Sequence, residues 1–358
     1  GGGGVNRNLI INGAMKICQR HSTNSVQLAA TEQYLTDRFF NDIGSSFDMK
    51  ADAVQSTDAP SGFSNSLKLS CDGVSSLSSS SNGGITQHIE GFNCQPLAFG
   101  TSDAKPLTLS FYAKSSSQNN GHTYGIMLGA FLNGTRNIQT RGFTVTSSWQ
   151  RFSMTFQPNS LVTSTGINHN NSNGLQVFFS LAGGSSDLQN YSVWTNDQAL
   201  SGFTGQNNFF DDTNNEFFLT GVQLEVGQNA TSFEHRSFGE EIAKCQRYYC
   251  KSYGYGTVAG TATGTGCVSN RFGGSDVTNR TDLGSRFPVT MRSNPSMTIY
   301  SLNGTEDNAS DMNTGGTHIT NVGVGSVYNV GQTGFGGLQL NSGKDNAIGF
   351  HFEASAEL

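Results

Sequence analysis

Leu107-Thr108-Leu109-Ser110-Phe111-Tyr112-Ala113-Lys114 alternates without a break, with Leu107, Leu109, Phe111 and Ala113 on one side and Thr108, Ser110, Tyr112 and Lys114 on the other. A period of two belongs to an extended chain whose successive side chains point to opposite faces, so the stretch reads as a strand buried on one face. The same rhythm recurs at Ile126/Leu128/Ala130/Leu132, Phe152/Met154/Phe156, Leu175/Val177/Phe179/Leu181 and Phe218/Thr220/Val222/Leu224/Val226. Asn133-Gly134 follows one of these runs and supplies residue types that accept the positive φ of a two-residue hairpin turn. Ser75–Gly84 and Asn168–Gly174 are too poor in apolar side chains to order as helix or strand and read as loops. Residues 6–236 therefore predict at least eight strands with long connections, an N-terminal jelly-roll β-sandwich.

Beyond this region the pattern changes once. Ser237 followed by Glu240 has the spacing of a capping box, and Phe238, Ile242, Cys245 and Tyr249 recur at helical spacing, with Lys244, Arg247 and Lys251 facing away. A short connecting α-helix is expected over 237–251. Residues 252–358 return to β character at Val289/Met291, Met297/Ile299, Leu338/Leu340 and the alternating run Ile348, Phe350, Phe352, Ala354, Ala356, and read as a smaller C-terminal β domain. Its Thr257–Gly266 and Asn303–Gly316 tracts read as exposed loops. Gly1–Val5 reads as a linker.

Composition supports an all-β chain. Of 358 residues 45 are Gly and 6 Pro, charged residues are 13%, and Gly, Ser and Asn together make about a third. Long surface helices need more Glu, Lys, Arg and Ala than this. Aromatics at 10%, with 25 Phe, suffice for a core. The net charge of −6 and the lack of any Lys/Arg run argue against a nucleic-acid groove or a polybasic membrane anchor. No apolar run approaches the roughly 20 residues of a bilayer span, and Gly1–Val5 lacks a signal-peptide pattern, so a soluble chain is expected. Cys18, Cys71, Cys94, Cys245, Cys250 and Cys267 form no CxxC pair and read as free thiols, small hydrophobes of a reducing compartment.

The search for chemistry yields little. The seven His make no HExxH or HxxxH pair, so neither a metal nor a cofactor is expected. No GxSxG elbow occurs. Gly337–Lys344 misses the phosphate-loop spacing by one residue and carries Asp345 where Ser or Thr is required. Asp211, Asp212 and Glu216 read as solvated loop acids rather than an acid/base or calcium set, and Glu240 and Glu241 as helix-start residues favoured by the dipole. Asn-x-Ser/Thr strings at Asn133, Asn229, Asn279, Asn303 and Asn308 are expected by chance in so Asn- and Thr-rich a chain. Among the aromatics, Trp149 reads as a core residue packed at the entrance of the Phe152/Met154/Phe156 strand. Trp194, near Tyr191 in a polar region, offers a flat ring suited to the apolar face of a sugar, with capping of the sandwich as the plainer use. Tyr253 and Tyr255, alternating with Gly254 and Gly256, read as an exposed contact patch. Trp194, Tyr253 and Tyr255 are thus the candidate glycan-binding residues.

Four stretches resemble bacteriophage tail-fibre and virion-appendage proteins of marine and cyanobacterial phages. Asn8-Leu9-Ile10-Ile11-Asn12-Gly13-Ala14-Met15 with Gln19-Arg20 and Leu35-Thr36-Asp37-Arg38-Phe39 resembles the first strand of a jelly roll similar to carbohydrate-binding modules. Ser147-Ser148-Trp149-Gln150-Arg151-Phe152 resembles a mid-domain strand. Phe218-Leu219-Thr220-Gly221-Val222-Gln223-Leu224-Glu225-Val226-Gly227, through Phe233-Glu234-His235-Arg236 to Glu240–Tyr249, is the most specific. Phe287-Pro288-Val289-Thr290-Met291-Arg292 and the closing Phe350–Leu358 resemble the family's terminal domain.

The resemblance implies a non-enzymatic virion protein, the distal part of a tail or head fibre, assembled in the bacterial host cytoplasm. It implies a homo-oligomer, a trimer, contacting other virion proteins and bacterial surface polysaccharide. Related modules hold a structural calcium through acids that this chain replaces with Lys16 and Thr220-Gly221. A non-binding capsid or tail decoration, and a secreted carbohydrate-binding module of a cellular enzyme, remain as alternatives.

Overall fold

A computed structural model describes residues 6–28, 30–44, 47–271, 280–312, 318–341 and 347–358; the Gly1–Val5 stretch, Asn279, the Asn313–Gly316 end of one predicted loop and Gly343–Asp345 of the phosphate-loop near-miss lie outside them. The chain divides into two compact units, residues 1–238 and 239–357, with Leu358 grouped with the first.

The first unit is a β-sandwich. One sheet orders six strands as Val26–Gln27, Ala51–Ser56, Ser66–Cys71, Glu216–Val226, Leu107–Ser115 and Gln150–Phe156. The other orders seven as Thr195–Asn196, Thr135–Thr144, Thr123–Leu132, Asn173–Gly183, Asn82–Glu90, Phe39–Gly44 and Tyr34–Thr36. All these neighbours are antiparallel and the chain crosses repeatedly between the sheets, as a jelly roll requires. Leu107, Leu109, Phe111 and Ala113 face inward, as their alternation predicts, and meet Ile126, Leu128, Leu175, Val177 and Phe179 of the opposite sheet. The rings interlock edge to face, with Phe111 at 5.0 Å from Phe143 and 5.1 Å from Phe179. Asn133 (φ 49°) and Gly134 (φ 82°) form the two-residue turn between paired Leu132 and Thr135. The loops predicted at Ser75–Gly84 and Asn168–Gly174 are shorter, because pairing with each other starts the two strands at Asn82 and Asn173.

The Glu216–Val226 strand departs from its predicted pattern. Its pairing with Leu107–Ser115 slips by one residue between Thr220 and Gln223, a β-bulge at Gly221-Val222 with Gly221 at φ +62°. The slip exchanges faces midway. Phe217 and Leu219 point into the core before it, Val222 and Leu224 after it, and Phe218 and Thr220 lie on the outer face instead of sharing a side with Val222.

The bulge also turns Val222 toward the N-terminal segment. Val222 N–H donates to Gly13 O at 2.9 Å, and Asn8 Nδ2 donates to Val222 O at 3.1 Å. Leu9 N–H reaches Leu224 O at 2.8 Å, and Asn8 Oδ1 accepts from Ile10 N and Leu224 N, each at 3.0 Å. Residues 8–15 therefore form no regular strand; side chains of Asn8 and Asn12 replace ladder bonds, Asn12 closing a turn through Ile17 N and O at 2.8 Å. Asp37 accepts from Gln19 N at 2.7 Å and Gln19 Nε2 at 2.5 Å, fixing the next turn. Arg236 donates to the carbonyls of Asn8 and Ile10 and pairs with Glu234, whose Oε2 accepts from Asn8 N at 2.9 Å.

In the second unit the Ala347–Ser355 strand is the hub. Its first half lies between Val268–Arg271 and Asn308–Met312, its second between Tyr249–Lys251 and Ser296–Tyr300. Ile348, Phe350, Phe352 and Ala354 face a core with Phe287, Ile299, Phe335, Leu338 and Leu340. The helix spans Phe238–Gln246 rather than 237–251: Tyr249–Lys251 pairs with Glu353–Ser355, and the Tyr249 hydroxyl donates to Glu353 Oε2 at 2.6 Å. Phe238, expected on the apolar stripe, is 43% exposed at the first helical position. Val289 and Met291 form no strand, since flanking Pro288 and Pro295 lack the N–H a ladder needs; Met291 is buried in the core nonetheless. All six cysteines are free thiols. Among the described residues no helix is long and apolar enough to cross a membrane.

A Cβ at position 221 would sit 2.8 Å from both the Phe63 and Tyr112 rings. Gly221→Ala is expected to cost about 1–3 kcal/mol from backbone strain alone, and more if those rings cannot yield. At Gly134, where nothing lies within 4 Å, Ala carries only the strain. Urea unfolding followed by the emission of Trp149 and Trp194, both in this unit, checks the ranking.

Candidate functional site

The structure buries two of the three predicted binding residues. Trp194 is 3% exposed and packs edge-on against Phe99 at 5.8 Å within the sandwich core, so its ring face is unavailable. Tyr253 is 4% exposed. Its ring stacks on His351 at 3.9 Å and 15°, and its hydroxyl accepts from Gly260 N at 3.1 Å. Burial lowers the His351 pKa against the raising pull of Thr263 O. Tyr255, 36% exposed, alone keeps the expected surface position. Trp194 lies in the first unit and the two tyrosines in the second. The acids read as solvated are each partnered: Asp211 by Asn215, Asp212 by Asn214 and Gln118, and Glu216 by Lys68. Among the described residues no group of three His, Cys, Asp or Glu could hold a metal ion.

A different set of rings comes together on the outer face of the six-stranded sheet. Register places Phe218 opposite both Lys68 and Lys114, and Tyr112 opposite both Thr220 and Arg151. Trp149 immediately precedes the Gln150–Phe156 strand at the Lys114 end. The expectation that Trp149 packs in the core fails: it is half-buried, outside the core, beside Phe218 at 6.1 Å. Parity explains this. Phe152, Met154 and Phe156 turn inward, so position 149 belongs with Arg151 and Ser153 on the opposite side.

Two loops complete the face. Residues 57–65 are held by Ser66 Oγ on Asp58 O (2.6 Å) and Thr220 Oγ1 on Asn65 O (2.7 Å). They bring Phe63 to 5.3 Å from Tyr112, while the loop after Val226 brings Phe233 and His235 to 5.0 and 5.2 Å from Phe63. Asp58 ties loop to sheet, accepting from Trp149 Nε1 at 3.0 Å and pairing with Lys114. Lys114 Nζ lies 4.5 Å from the Phe218 centroid, and Lys68 Nζ, 2.6 Å from Glu216, lies 5.4 Å from the same ring. Each ammonium is thus fixed by a carboxylate on one side and a ring quadrupole on the other.

The result is a band of half-buried rings, Trp149, Tyr112, Phe63 and Phe233, around the buried Phe218 and interrupted by paired charges. Rings of this kind offer flat apolar area with little conformational entropy to lose, while Asp58, Glu216, Lys68 and Lys114 offer acceptors and donors at fixed places. Apolar faces edged by hydroxyls match that pattern. Among the described residues the band brings together no pair of unpartnered carboxylates.

Partial burial raises the Asp58 pKa, but the hydrogen bonds from Lys114 and Trp149 and the charges of Lys114 and Lys68 outweigh it and hold the carboxyl below its ordinary value of 3.8. A depressed acid contributes stability above its unfolded pKa and loses it as pH falls through the folded one. In a Trp194→Phe background, Trp149 emission is expected to stay constant from pH 7 to about 5 and to step with a midpoint below 3.8. Asp58→Asn is expected to remove the step. Trp194→Ala, by contrast, is expected to lower stability by about 3–5 kcal/mol through a core cavity, read by urea unfolding.

No protein-family model and no curated protein matches the chain. Among solved structures it is similar to a candidate sugar-binding protein of Bacteroides thetaiotaomicron VPI-5482, at 11% identity and TM-score 0.33 over 61% of this chain and 99% of that one. It is similar to the enzymatically active domain of tailspike protein 4 of bacteriophage CBA120, at 12% and 0.30, over 62% of this chain and 21% of that one. A third is the family 11 carbohydrate-binding module of a cellulosomal cellulase of Clostridium thermocellum, at 15% and 0.30, over 60% and 99%. Likenesses this distant carry no functional assignment, and the sandwich rests on its own strand pairing.

Proposed function

We propose that the chain is the distal part of a bacteriophage tail or head fibre, and that its N-terminal sandwich attaches the virion to bacterial surface polysaccharide without cleaving it. One observation carries the binding half: the half-exposed Trp149, Tyr112 and Phe63 rings, braced by Lys114–Asp58 and Lys68–Glu216, on one sheet face. The low charge of the chain, 13%, suits a neutral, hydroxyl-rich ligand better than a nucleic acid. The virion half rests on the sequence resemblance, above all at Phe218–Gly227 and its continuation. In this reading the chain is a homotrimer, and three weak sites on one particle raise avidity without any new contact.

Binding of the purified chain to host-range bacteria and to their extracted polysaccharides tests both halves, with oligomer mass measured alongside. Saturable binding is expected, and Trp149→Ala or Tyr112→Ala is expected to weaken it about tenfold, as loss of one ring contact of about 1.4 kcal/mol implies. A folded chain that binds no cell or polysaccharide is a decoration protein instead, and shortened polysaccharide chains mean an enzyme.

A further inference from the structure

The second unit contains a cleft of about 480 Å³ that takes no part in the aromatic band of the first. Its walls carry the side chains of Asp282, Ser285, Arg286, Asn329 and Thr333, with backbone exposed at several glycines, among them Gly331. The volume falls within the roughly 300–1,000 Å³ of small-molecule sites, although Asp282, Arg286, Asn329 and Thr333 are exposed, so the cleft is shallow and open to solvent.

Local pairing builds it. Ser285 and Arg286 pair with Phe335 and Gly334, and Gly331 N–H donates to Gly334 O at 2.9 Å to close the loop between. Phe335 touches the cleft but turns its ring into the core, 5.4 Å from Phe352, so the walls are polar. Arg286 Nη1 donates to Thr333 Oγ1 at 3.2 Å, and the single Tyr328 hydroxyl proton is shared between Thr281 O at 2.5 Å and Asp282 Oδ1 at 2.7 Å. Each charge is thus oriented by a neutral hydroxyl, and an arginine has five N–H donors, of which Thr333 takes one.

These walls select a ligand class. One guanidinium and one carboxylate cancel in formal charge, which disfavours a phosphate or a cation. Among the described residues the lining is mainly polar, which disfavours a lipid or an aromatic compound. Hydroxyl, amide, guanidinium, carboxylate and backbone groups around a small volume complement a compact molecule rich in both donors and acceptors. We propose that this cleft binds a single neutral sugar residue, as a site separate from the outer-sheet face. The assignment rests on cleft residues alone and holds whether or not the first unit binds polysaccharide.

The test uses the full chain, titrated with glucose, galactose, mannose and N-acetylglucosamine, and with glucuronate as the charged counterpart, by saturation-transfer NMR and calorimetry. Two variants address the cleft. Arg286→Ala removes its main donor. Gly331→Leu fills it: a Cβ there meets no atom closer than 3.9 Å, so the backbone tolerates the side chain. Saturable binding of at least one neutral sugar is expected, weakened tenfold or more by Arg286→Ala, abolished by Gly331→Leu and unchanged by Trp149→Ala, with near-UV circular dichroism confirming each fold. Binding of no neutral sugar, binding of glucuronate alone, or neutral-sugar binding that survives both cleft variants would overturn the proposal. Loss only in Trp149→Ala overturns it too, since the sugar then sits on the outer-sheet face.

Discussion

The β-bulge at Gly221-Val222 is the constraint on which the first unit depends. A regular ladder would direct the Val222 N–H and C=O at a neighbouring strand; the bulge hands them to Gly13 and Asn8 instead. A buried backbone group without a partner costs about 1–3 kcal/mol, so the exchange leaves little choice of register on either side. The N-terminal segment gains a seat although it is too irregular to be a strand. Arg236 and Glu234 then close over it, a guanidinium taking the carbonyls of Asn8 and Ile10 where a regular strand would present N–H groups. The close approach also forbids a side chain at Gly13, whose Cβ would stand 2.1 Å from Val222 O.

The same bulge creates the outer face. Without the slip, Phe218 would lie on the side of Val222 and Leu224, inside the sandwich; with it, Phe218 stands between Lys68 and Lys114 on the outside. A phenyl ring there is costly to leave in water, and the two ammonium stems, Trp149 and the Asp58 loop cover it. The cover is itself aromatic and charged, so hiding one ring presents others. Fold and candidate site therefore share a cause, and the face sits on sheet strands and short, hydrogen-bonded loops rather than on a mobile tip.

Much of this was legible before any coordinates. Alternation found the Leu107–Ser115 strand and four others, Asn133-Gly134 found its hairpin, and the run from Ile348 found the hub of the second unit, because each depends only on period or local turn chemistry. What the sequence hid was non-local. One extra residue at Gly221 reverses a face without disturbing the apolar count, so Phe218 was assigned to the wrong side. Trp194 sits in a polar-looking stretch, yet its ring is buried by Phe99, almost a hundred positions away, and no local pattern records that. Tyr253 is similar, covered by His351 from the closing strand. Trp149 was recoverable, since its odd-numbered position opposes Phe152, Met154 and Phe156; a tryptophan's size argued for the core more loudly than its parity argued against it. Helical spacing overruns the end of the helix because Tyr249 satisfies helical spacing and strand alternation equally, and only pairing with Ser355 decides between them.

The placement of charge follows from the same logic. A chain with only 13% charged residues still puts ion pairs at the N-terminal closure, Arg7–Glu225 and Arg236–Glu234, and on the outer face, Lys68–Glu216 and Lys114–Asp58. The part-exposed Lys68–Glu216 and Lys114–Asp58 pairs contribute about 0–1 kcal/mol each, too little to account for the stability of a sandwich whose core is aromatic and aliphatic. Their value is positional. Each fixes a long side chain where a neutral one would be free to choose among rotamers, at the closure to hold a segment without strand structure and at the face to hold rings apart from their own core. Where geometry is already set by interlocking Phe rings, as between the sheets, charge is unnecessary and would carry a desolvation cost with no partner to offset it. On the outer face, charge thus holds rings where packing alone does not determine position, which makes that face a surface whose shape is set in advance of any ligand.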